Sequence, residues 1–192
     1  MWRISKVLGL SAGLAVSAMP AVTAGDKGNP IDYDRARLER RLVAQRCSGP
    51  MTTDGVLDEP DWQHAPVATN FIQSDPREGD PATYDTEVRV LYNDENLYLA
   101  VTAFDDEPDK LVINDLTRDF SARSGDAFAV VLDTFHDMRN GYIFETNPMG
   151  AKLDAQFFNE GREFNLDWDG VWHVATRITE VSWTAELAIP FK

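Results

Sequence analysis

The sequence is poor in cysteine and in basic residues. Its single cysteine, Cys47, excludes a disulfide within the chain and a zinc site built from several cysteines. The 192 residues contain 18 lysines and arginines against 32 acidic residues, which gives a formal net charge of −14. A surface of this sign repels phosphate groups, so nucleic acid is not expected as a partner.

Long apolar runs are absent except at the N-terminus. Residues 1–24 begin with Arg3 and Lys6, continue with an apolar stretch over Val7–Met19, and end in small residues at Ala24. This order predicts a secretory signal peptide, and the alternative is an uncleaved membrane anchor, for which the run is short. Export of a chain with one cysteine favours a bacterial envelope, so we expect the periplasm or the outer membrane.

No segment carries a long helical periodicity. Instead, turn residues recur between short runs rich in Val, Ile, Phe, Tyr, Trp and Thr. This pattern predicts an all-β fold, an antiparallel, jelly-roll-like β-sandwich of seven or eight strands over residues 42–192, after a linker at 25–41. The predicted strands are Leu42–Gln45, Thr86–Tyr92, Leu97–Asp105, Asp126–Thr134, Gly141–Asn147, Ala151–Phe158, Val171–Ile178 and Ser182–Ile189.

Three short motifs have a direct physical interpretation. Asp54-Gly55 predicts a tight turn. Pro60 follows two acidic residues and predicts a short helix, on which Trp62 is expected to lie in the core. The segment from Asn147 to Gly150 predicts a hairpin turn in which the glycine has positive φ.

Polar residues in two neighbouring strands suggest a ligand platform. If the predicted strands 141–147 and 151–158 pair, Glu145, Asn147, Asp154 and Gln156 are expected to share a polar face. Such a face with aromatic neighbours suits sugar hydroxyls and C–H groups, and the alternative is an ordinary solvent-exposed face.

The loop before the predicted strand at Asp126 holds a charged cluster. Arg118, Asp119, Arg123 and Asp126 are candidates to bind hydroxyls, carboxylates or sulfate, and the alternative is an Arg118–Asp126 ion pair that pins the loop. Trp168 is a candidate for stacking on a ligand, whereas Trp172 is expected in the core.

Acidic turns raise the question of a metal. Asp133, Asp137 and Asn140 offer oxygen ligands for calcium, as does the acidic segment 105–107, although neither has the spacing of an EF-hand loop. The alternative is a solvated turn. Haem held between Met149 and His136 is a further interpretation, in which the two side chains would have to face each other.

Four segments taken in order resemble a known family. They are TDGVLDEPDWQHA (Thr53–Ala65), TEVRVLYNDENLYLAVTAFDDEPD, RDFSARSGDAFAVVLDTFHDMRNGYIFETNPMGAKLDAQF and WDGVWHVATRITEVSWTAELAIPFK. Together they are similar to family 9-like carbohydrate-binding modules, and most to those at the N-terminus of exported proteins that continue into an outer-membrane β-barrel. The resemblance implies a sandwich over residues 42–192 and a carbohydrate ligand, in a protein of carbohydrate degradation or uptake.

The chain departs from this family at the sugar site. In sugar-binding members the ligand ring lies between two tryptophans, and the first aligns here with Arg123, beside Phe120. A basic residue that binds hydroxyls aligns with Glu145. The second tryptophan belongs to strands beyond Lys192, so the sequence is expected to lack the closing strands of the sandwich.

Three functions are therefore carried forward. The first is a non-catalytic carbohydrate-binding module without catalytic residues. The second is an interaction or plug domain for a following barrel. The third is a glycoside hydrolase that uses paired carboxylates, although the nucleophile-elbow and HExxH patterns are both absent from the sequence.

Overall fold

A computed structural model describes residues 7–10, 40–121 and 125–191, the first range as backbone only. The chain forms two β-sheets with one short helix, α1 (Pro60–His64), and two 3₁₀ turns, at Pro108–Lys110 and Asn159–Gly161. In chain order the strands are β1 (Val7–Leu10), β2 (Gln45–Arg46), β3 (Val67–Ala68), β4 (Thr86–Tyr92), β5 (Asn96–Phe104), β6 (Phe128–Leu132), β7 (Gly141–Thr146), β8 (Lys152–Phe158), β9 (Glu163–Asn165), β10 (His173–Ile178) and β11 (Ser182–Pro190).

The two sheets differ in size. The larger sheet has six strands in the order β10-β11-β5-β4-β2, with β3 also paired to β4. The smaller sheet has five strands in the order β1-β6-β7-β8-β9. Most neighbours are antiparallel, and β1 with β6 and β2 with β4 are parallel. The all-β sandwich predicted from the sequence is confirmed.

The main core lies between the two sheets. Alternate residues of each strand point inward, as the period of two in a strand requires. Val88 and Val90 of β4 meet Val130 of β6 and Phe144 of β7 in one buried cluster. Trp172 is 1% exposed and completes this cluster, which confirms its predicted place in the core.

A second apolar cluster covers the outer face of the larger sheet. The segment from Cys47 to Ala65 crosses this face and buries Trp62 of α1 against Leu91, Tyr98 and Ala188. Trp62 is 2% exposed, as predicted. The larger sheet is therefore covered on both faces, which explains why β5 carries almost no exposed residue.

A buried carboxylate in the larger sheet holds this covering segment. Glu186 of β11 is 2% exposed and lies on the outer face of its strand. Its Oε2 accepts the backbone N–H groups of Asp54 and Gly55 at 2.9 and 2.8 Å, and its Oε1 accepts the indole N–H of Trp62 at 3.0 Å. Gly55 has φ +85°, and an added Cβ would lie 2.9 Å from the carbonyl carbon of Thr176. The predicted tight turn is thus confirmed, together with its need for glycine.

The predicted strands agree closely with the observed ones. The 86–92 segment coincides with β4, and β5, β7, β8, β10 and β11 lie within one or two residues of their predicted bounds. The strand predicted from Asp126 is shorter, as β6, and it lies next to the end of its sheet rather than at the centre. Four short strands, β1, β2, β3 and β9, were not predicted at these positions.

The predicted signal peptide is only partly within the described residues. Its segment Val7–Leu10 is β1, whose backbone pairs with β6 from Ala129 to Leu132. The rest of residues 1–24 and nearly all of the predicted linker at 25–41 lie outside the described range. In the part of the chain that the structure describes, no helix combines the length and the apolar character that a membrane span requires.

We predict that Glu186→Gln destabilises the fold. Glutamine has one carbonyl oxygen, so it can accept either from the 54–55 turn or from Trp62, and its NH₂ group then faces another donor. Each buried donor left without an acceptor costs about 1–3 kcal/mol. Urea unfolding should therefore show a loss of at least that size, whereas Glu180→Gln in an exposed turn should leave the midpoint unchanged. Equal midpoints for both variants would contradict this role for Glu186.

Candidate functional site

The outer face of the smaller sheet is mainly apolar, and exposure along it rises from Ala155, which is 1% exposed, to Phe164, which is 54% exposed. Strand register places its side chains in three transverse rows, spaced about 7 Å apart because side chains on one face recur every second residue. The rows are Ala129–Glu145–Leu153, Val131–Ile143–Ala155 and Gly141–Phe157–Phe164. This surface is called the outer face below.

Glu145 is the charged residue in the middle of the first row. It is flanked across the strands by Ala129 and Leu153, and no hydrogen bond or ion pair joins its carboxylate to the described residues. Burial alone raises the pKa of Glu145 from its usual 4.5 to about 7. A half-buried carboxylate without a partner retains its full capacity to accept hydrogen bonds from a ligand.

Phe120 forms a wall at one end of this face. It is 4% exposed and packs with Ala127, Ala151 and the partly buried Leu153. The ring is therefore buried against the sheet and does not offer a free face for stacking. Because Phe120 packs on Leu153, which pairs with Glu145, residues 111–121 reach the edge of the first row.

Asn147 holds the same loop in place. Its side-chain oxygen accepts the N–H groups of Met149 and Ala151, each at 3.0 Å, and its NH₂ donates to the carbonyl of Asp115 at 2.7 Å. Asn147 is 2% exposed. Gly150 has φ +77°, so the predicted hairpin turn is confirmed. Asn147 thus links that turn to the loop. Its contact with a ligand stays a prediction, and the buried, hydrogen-bonded side chain does not support it.

Asp126 closes the base of the loop. Its Oδ2 accepts the N–H of Val112 at 2.7 Å, and its own N–H donates to the Val112 carbonyl at 2.8 Å. Desolvation raises the pKa of Asp126. Asp119 lies on the outside of the loop with φ +61°, and its N–H donates to the carbonyl of Lys152. Arg123 lies outside the described residues.

Arg118 forms an ion-pair network on the inner side of β8. Its guanidinium binds Oδ1 of Asp154 at 2.6 Å and Oδ1 of Asp169 at 2.7 Å. The Asp154 side chain is completely buried, and its other oxygen accepts the N–H of Gly170. The predicted Arg118–Asp126 ion pair is therefore wrong, because Arg118 pairs with Asp154 and Asp169 while the Asp126 carboxylate accepts from Val112.

Trp168, which precedes Asp169 of this network, packs against the main core. Its ring packs on Tyr142 with centroids 4.7 Å apart and on Phe144 at 6.0 Å. A Cβ on Gly170 would lie 2.8 Å from the Trp168 ring, so only glycine permits this packing. The Trp168 side chain is half-buried, and its stacking on a ligand stays a prediction.

The predicted shared polar face is wrong. Glu145 pairs with Leu153, whereas Asp154 pairs with Phe144. Glu145 therefore points to the outer face, and Asp154 and Gln156 point to the inner side with Tyr142 and Phe144. The sequence prediction missed this separation because it assigned the face of each strand without the register between them.

The predicted calcium ligands are engaged in a turn. Asp133 accepts the N–H groups of Asp137 and Met138, and Asp137 accepts those of Arg139 and Asn140. These bonds lower the pKa of Asp137. Across residues 40–121 and 125–191, no cluster of three or more His, Cys, Asp or Glu side chains suits a metal ion. Calcium stays a prediction that the geometry of this turn does not support.

The haem interpretation does not fit the topology. His136 precedes β7 and Met149 follows it, so the two lie beyond opposite ends of a six-residue strand about 20 Å long.

A small crevice of about 10 Å³ is lined by residues that include Val112, Asp126 and Asn147. It has room for about one water molecule and is too small for a sugar ring.

Sequence reasoning missed two features of the site. One is the pairing of Phe157 with Phe164 on the outer face, since the three-residue strand β9 has no alternating pattern of its own. The other is Gly170, whose close approach to Trp168 and Asp154 depends on tertiary contacts. The available indication in the sequence was the position of Gly170 between the two tryptophans Trp168 and Trp172, where a close contact would require a residue without a side chain.

The comparisons with solved structures identify the fold. A family 9 carbohydrate-binding module (CBM9) from Caldicellulosiruptor kristjanssonii in complex with cellotriose matches with a TM-score of 0.56 and 15% identity, over 78% of this chain and 66% of that chain. The complex of such a module with glucose matches with a TM-score of 0.56 and 14% identity, over 77% of this chain and 68% of that chain. A protein from Bacteroides uniformis that has been assigned as carbohydrate-binding matches with a TM-score of 0.57 and 12% identity. The match covers 77% of this chain and 71% of that chain.

These likenesses establish the fold as that of family 9 carbohydrate-binding modules, at identities too low to show more. The chain spans slightly less than two thirds of the cellotriose-bound module. No family model matches the sequence, and no curated protein matches it.

We predict that Glu145 makes the stability of the protein depend on pH. Its folded pKa of about 7 exceeds the usual 4.5, so the folded state binds the proton more tightly than the unfolded chain does. The stabilisation from the protonated group is complete below pH 4.5 and is lost as the pH rises to 7. The loss amounts to about 3 kcal/mol, at about 1.4 kcal/mol per pKa unit.

Urea unfolding at several pH values from 4.5 to 8 measures this effect. Glu145→Gln should lack that part of the decline, while Glu180→Gln should follow the unmodified protein. A Glu145→Gln profile that parallels the unmodified protein over the whole range would show that this carboxyl titrates normally.

Proposed function

We propose that this chain is a non-catalytic carbohydrate-binding domain whose ligand lies on the outer face beside Glu145. One observation carries the proposal: a carboxylate that has no hydrogen bond or ion pair with the described residues lies on a mainly apolar sheet face, in a fold shared with modules solved in complex with cellotriose and glucose. Sugars present hydroxyl donors around an apolar C–H surface, which is the complement of such a face.

The chemistry of recognition follows from the charge state of Glu145. When ionised, its two oxygens accept hydrogen bonds from neighbouring hydroxyl groups, and bonds to a charged acceptor are stronger than neutral ones. Ala129, Leu153 and Ile143 provide an apolar floor that contacts the C–H groups. Phe120 fixes one boundary of the site as a buried wall.

The expected ligand is neutral. Glu145 and the net charge of −14 repel uronic acids and sulfated sugars. This inference separates the site from the predicted arginine-based site at Arg118, whose guanidinium is already bound by two carboxylates.

We predict that the purified protein binds glucose or cellotriose at pH 8 and that Glu145→Gln weakens binding at least about tenfold. Loss of a hydrogen bond to a charged group costs about 1.5–3 kcal/mol, and 1.4 kcal/mol corresponds to tenfold. Isothermal titration calorimetry measures both proteins, with Asp119→Asn as the control because Asp119 is an exposed acid on the neighbouring loop. A folded protein that binds neither sugar contradicts the proposal, and equal affinities in the two variants place the site elsewhere.

We also propose that the chain is exported and that residues 1–24 are removed. The support is the sequence of this segment, with basic residues, an apolar stretch and small residues before Ala24. The resemblance to N-terminal modules of barrel proteins supports a location in the periplasm or at the outer membrane, where the domain would present sugars to a following barrel.

We predict that expression in a Gram-negative bacterium gives a periplasmic protein beginning at Gly25. Mass spectrometry of the periplasmic fraction identifies the new N-terminus. Ala24→Phe should retain the precursor, because signal peptidase requires a small residue at this position. A protein that stays in the cytoplasm with residues 1–24 intact would contradict export.

A further inference from the structure

We propose that Phe157 and Phe164 form a second sugar-binding subsite, so that the ligand is an extended oligosaccharide rather than a monosaccharide. The inference rests on the proposed function, because it uses the same outer face. It adds the length of the ligand and the residues that read it.

The two phenylalanines occupy opposite backbone positions on neighbouring strands. Phe157 of β8 lies directly opposite Phe164 of β9, on the outer face. On the other side of β8, Phe157 lies opposite Gly141 of β7. A Cβ on Gly141 would lie 2.8 Å from two atoms of the Phe157 ring, so the ring lies across the glycine. The absence of a side chain at residue 141 therefore leaves room for the Phe157 ring in the third row, next to the exposed Phe164.

The turn before β9 holds Phe164 in position. Asn159, Glu160 and Gly161 have positive φ values of 53°, 63° and 80°. The Glu160 N–H donates to the carbonyl of Arg139 at 2.9 Å, which ties this turn to the loop before β7. Phe164 is nevertheless 54% exposed. A fixed and exposed aromatic ring can stack on a ligand with little loss of its own conformational entropy.

The distance from Glu145 sets the length of the ligand. Glu145 and Gly141 are four residues apart on β7, which corresponds to about 13 Å. A pyranose ring, built from bonds of about 1.5 Å, cannot span this distance. An oligosaccharide that is hydrogen-bonded at Glu145 and lies over Ile143 reaches Phe157 and Phe164 with a later sugar unit.

A glycan fits this surface because of the order of its groups. The face runs from a hydrogen-bond acceptor over small apolar side chains to flat aromatic rings, and an extended sugar chain presents hydroxyl groups and C–H faces in the same succession. Aromatic rings contact such C–H faces without a charged partner. The cellotriose-bound module shows that this fold accommodates a ligand longer than one sugar.

Calorimetry with glucose and cellotriose on three variants tests the subsite. The unmodified protein should bind cellotriose about tenfold more tightly than glucose, the gain of one added contact of about 1.4 kcal/mol. Phe164→Ala should remove this difference and leave glucose binding unchanged, while Phe164→Trp should keep it. Phe158→Ala is the matched control, because Phe158 is 38% exposed on the opposite face of β8.

The outcomes separate this inference from the proposed function. Equal affinities for glucose and cellotriose in the unmodified protein overturn the subsite, as does a cellotriose preference that survives Phe164→Ala. Loss of binding only in Glu145→Gln then leaves the proposed function in place. A concentration-dependent dimer that Phe164→Ala abolishes, without an effect on sugar binding, would make the rings a protein contact and also overturn the inference.

Discussion

The carboxylate of Glu186 is the contact on which the N-terminal half of the fold depends. It lies at the centre of β11 with its polar atoms out of reach of solvent, where an unpaired charge is costly. Three donors from residues 54, 55 and 62 supply the compensation, and all three come from a segment more than 120 residues away in sequence. The burial of the carboxylate and the position of the covering segment therefore require each other.

This contact has a consequence for the opposite side of the molecule. Because the 47–65 segment covers the outer face of the larger sheet, the candidate surface among the described residues is the outer face of the smaller sheet, where Phe164 is 54% exposed. Residues 111–121 border that face, and contacts of Asn147, Asp126 and Arg118 hold this segment. Asn147, Asp126 and Arg118 were candidate ligand residues and instead hold the loop, whereas Glu145 lies on the outer face without a hydrogen bond or ion pair to the described residues.

Strand positions could be predicted because the local pattern determines them. Alternation in Thr86–Tyr92 and turn residues on each side give β4 its bounds without knowledge of its partners. The short-helix motif at Pro60 correctly predicted that Trp62 lies in the core. The face on which Glu145 and Asp154 lie could not be obtained in this way, since a shift of one residue in register reverses it. The partners of Arg118 were also missed, because Asp154 and Asp169 are 36 and 51 residues away and only the tertiary fold brings them together.

The acid at Glu145 changes how this fold can recognise a sugar. A basic residue donates hydrogen bonds only, whereas a carboxylate accepts them only, and sugar hydroxyls satisfy either. Under the proposed function, the acid is therefore compatible with neutral sugars and repels anionic ones. The proposal also makes recognition depend on pH, because burial among alanine and leucine side chains raises the pKa of Glu145 to about 7. Below that value the protonated group offers one donor and fewer acceptor sites, so the apolar surroundings of Glu145 set the pH range in which the proposed site accepts the most hydrogen bonds.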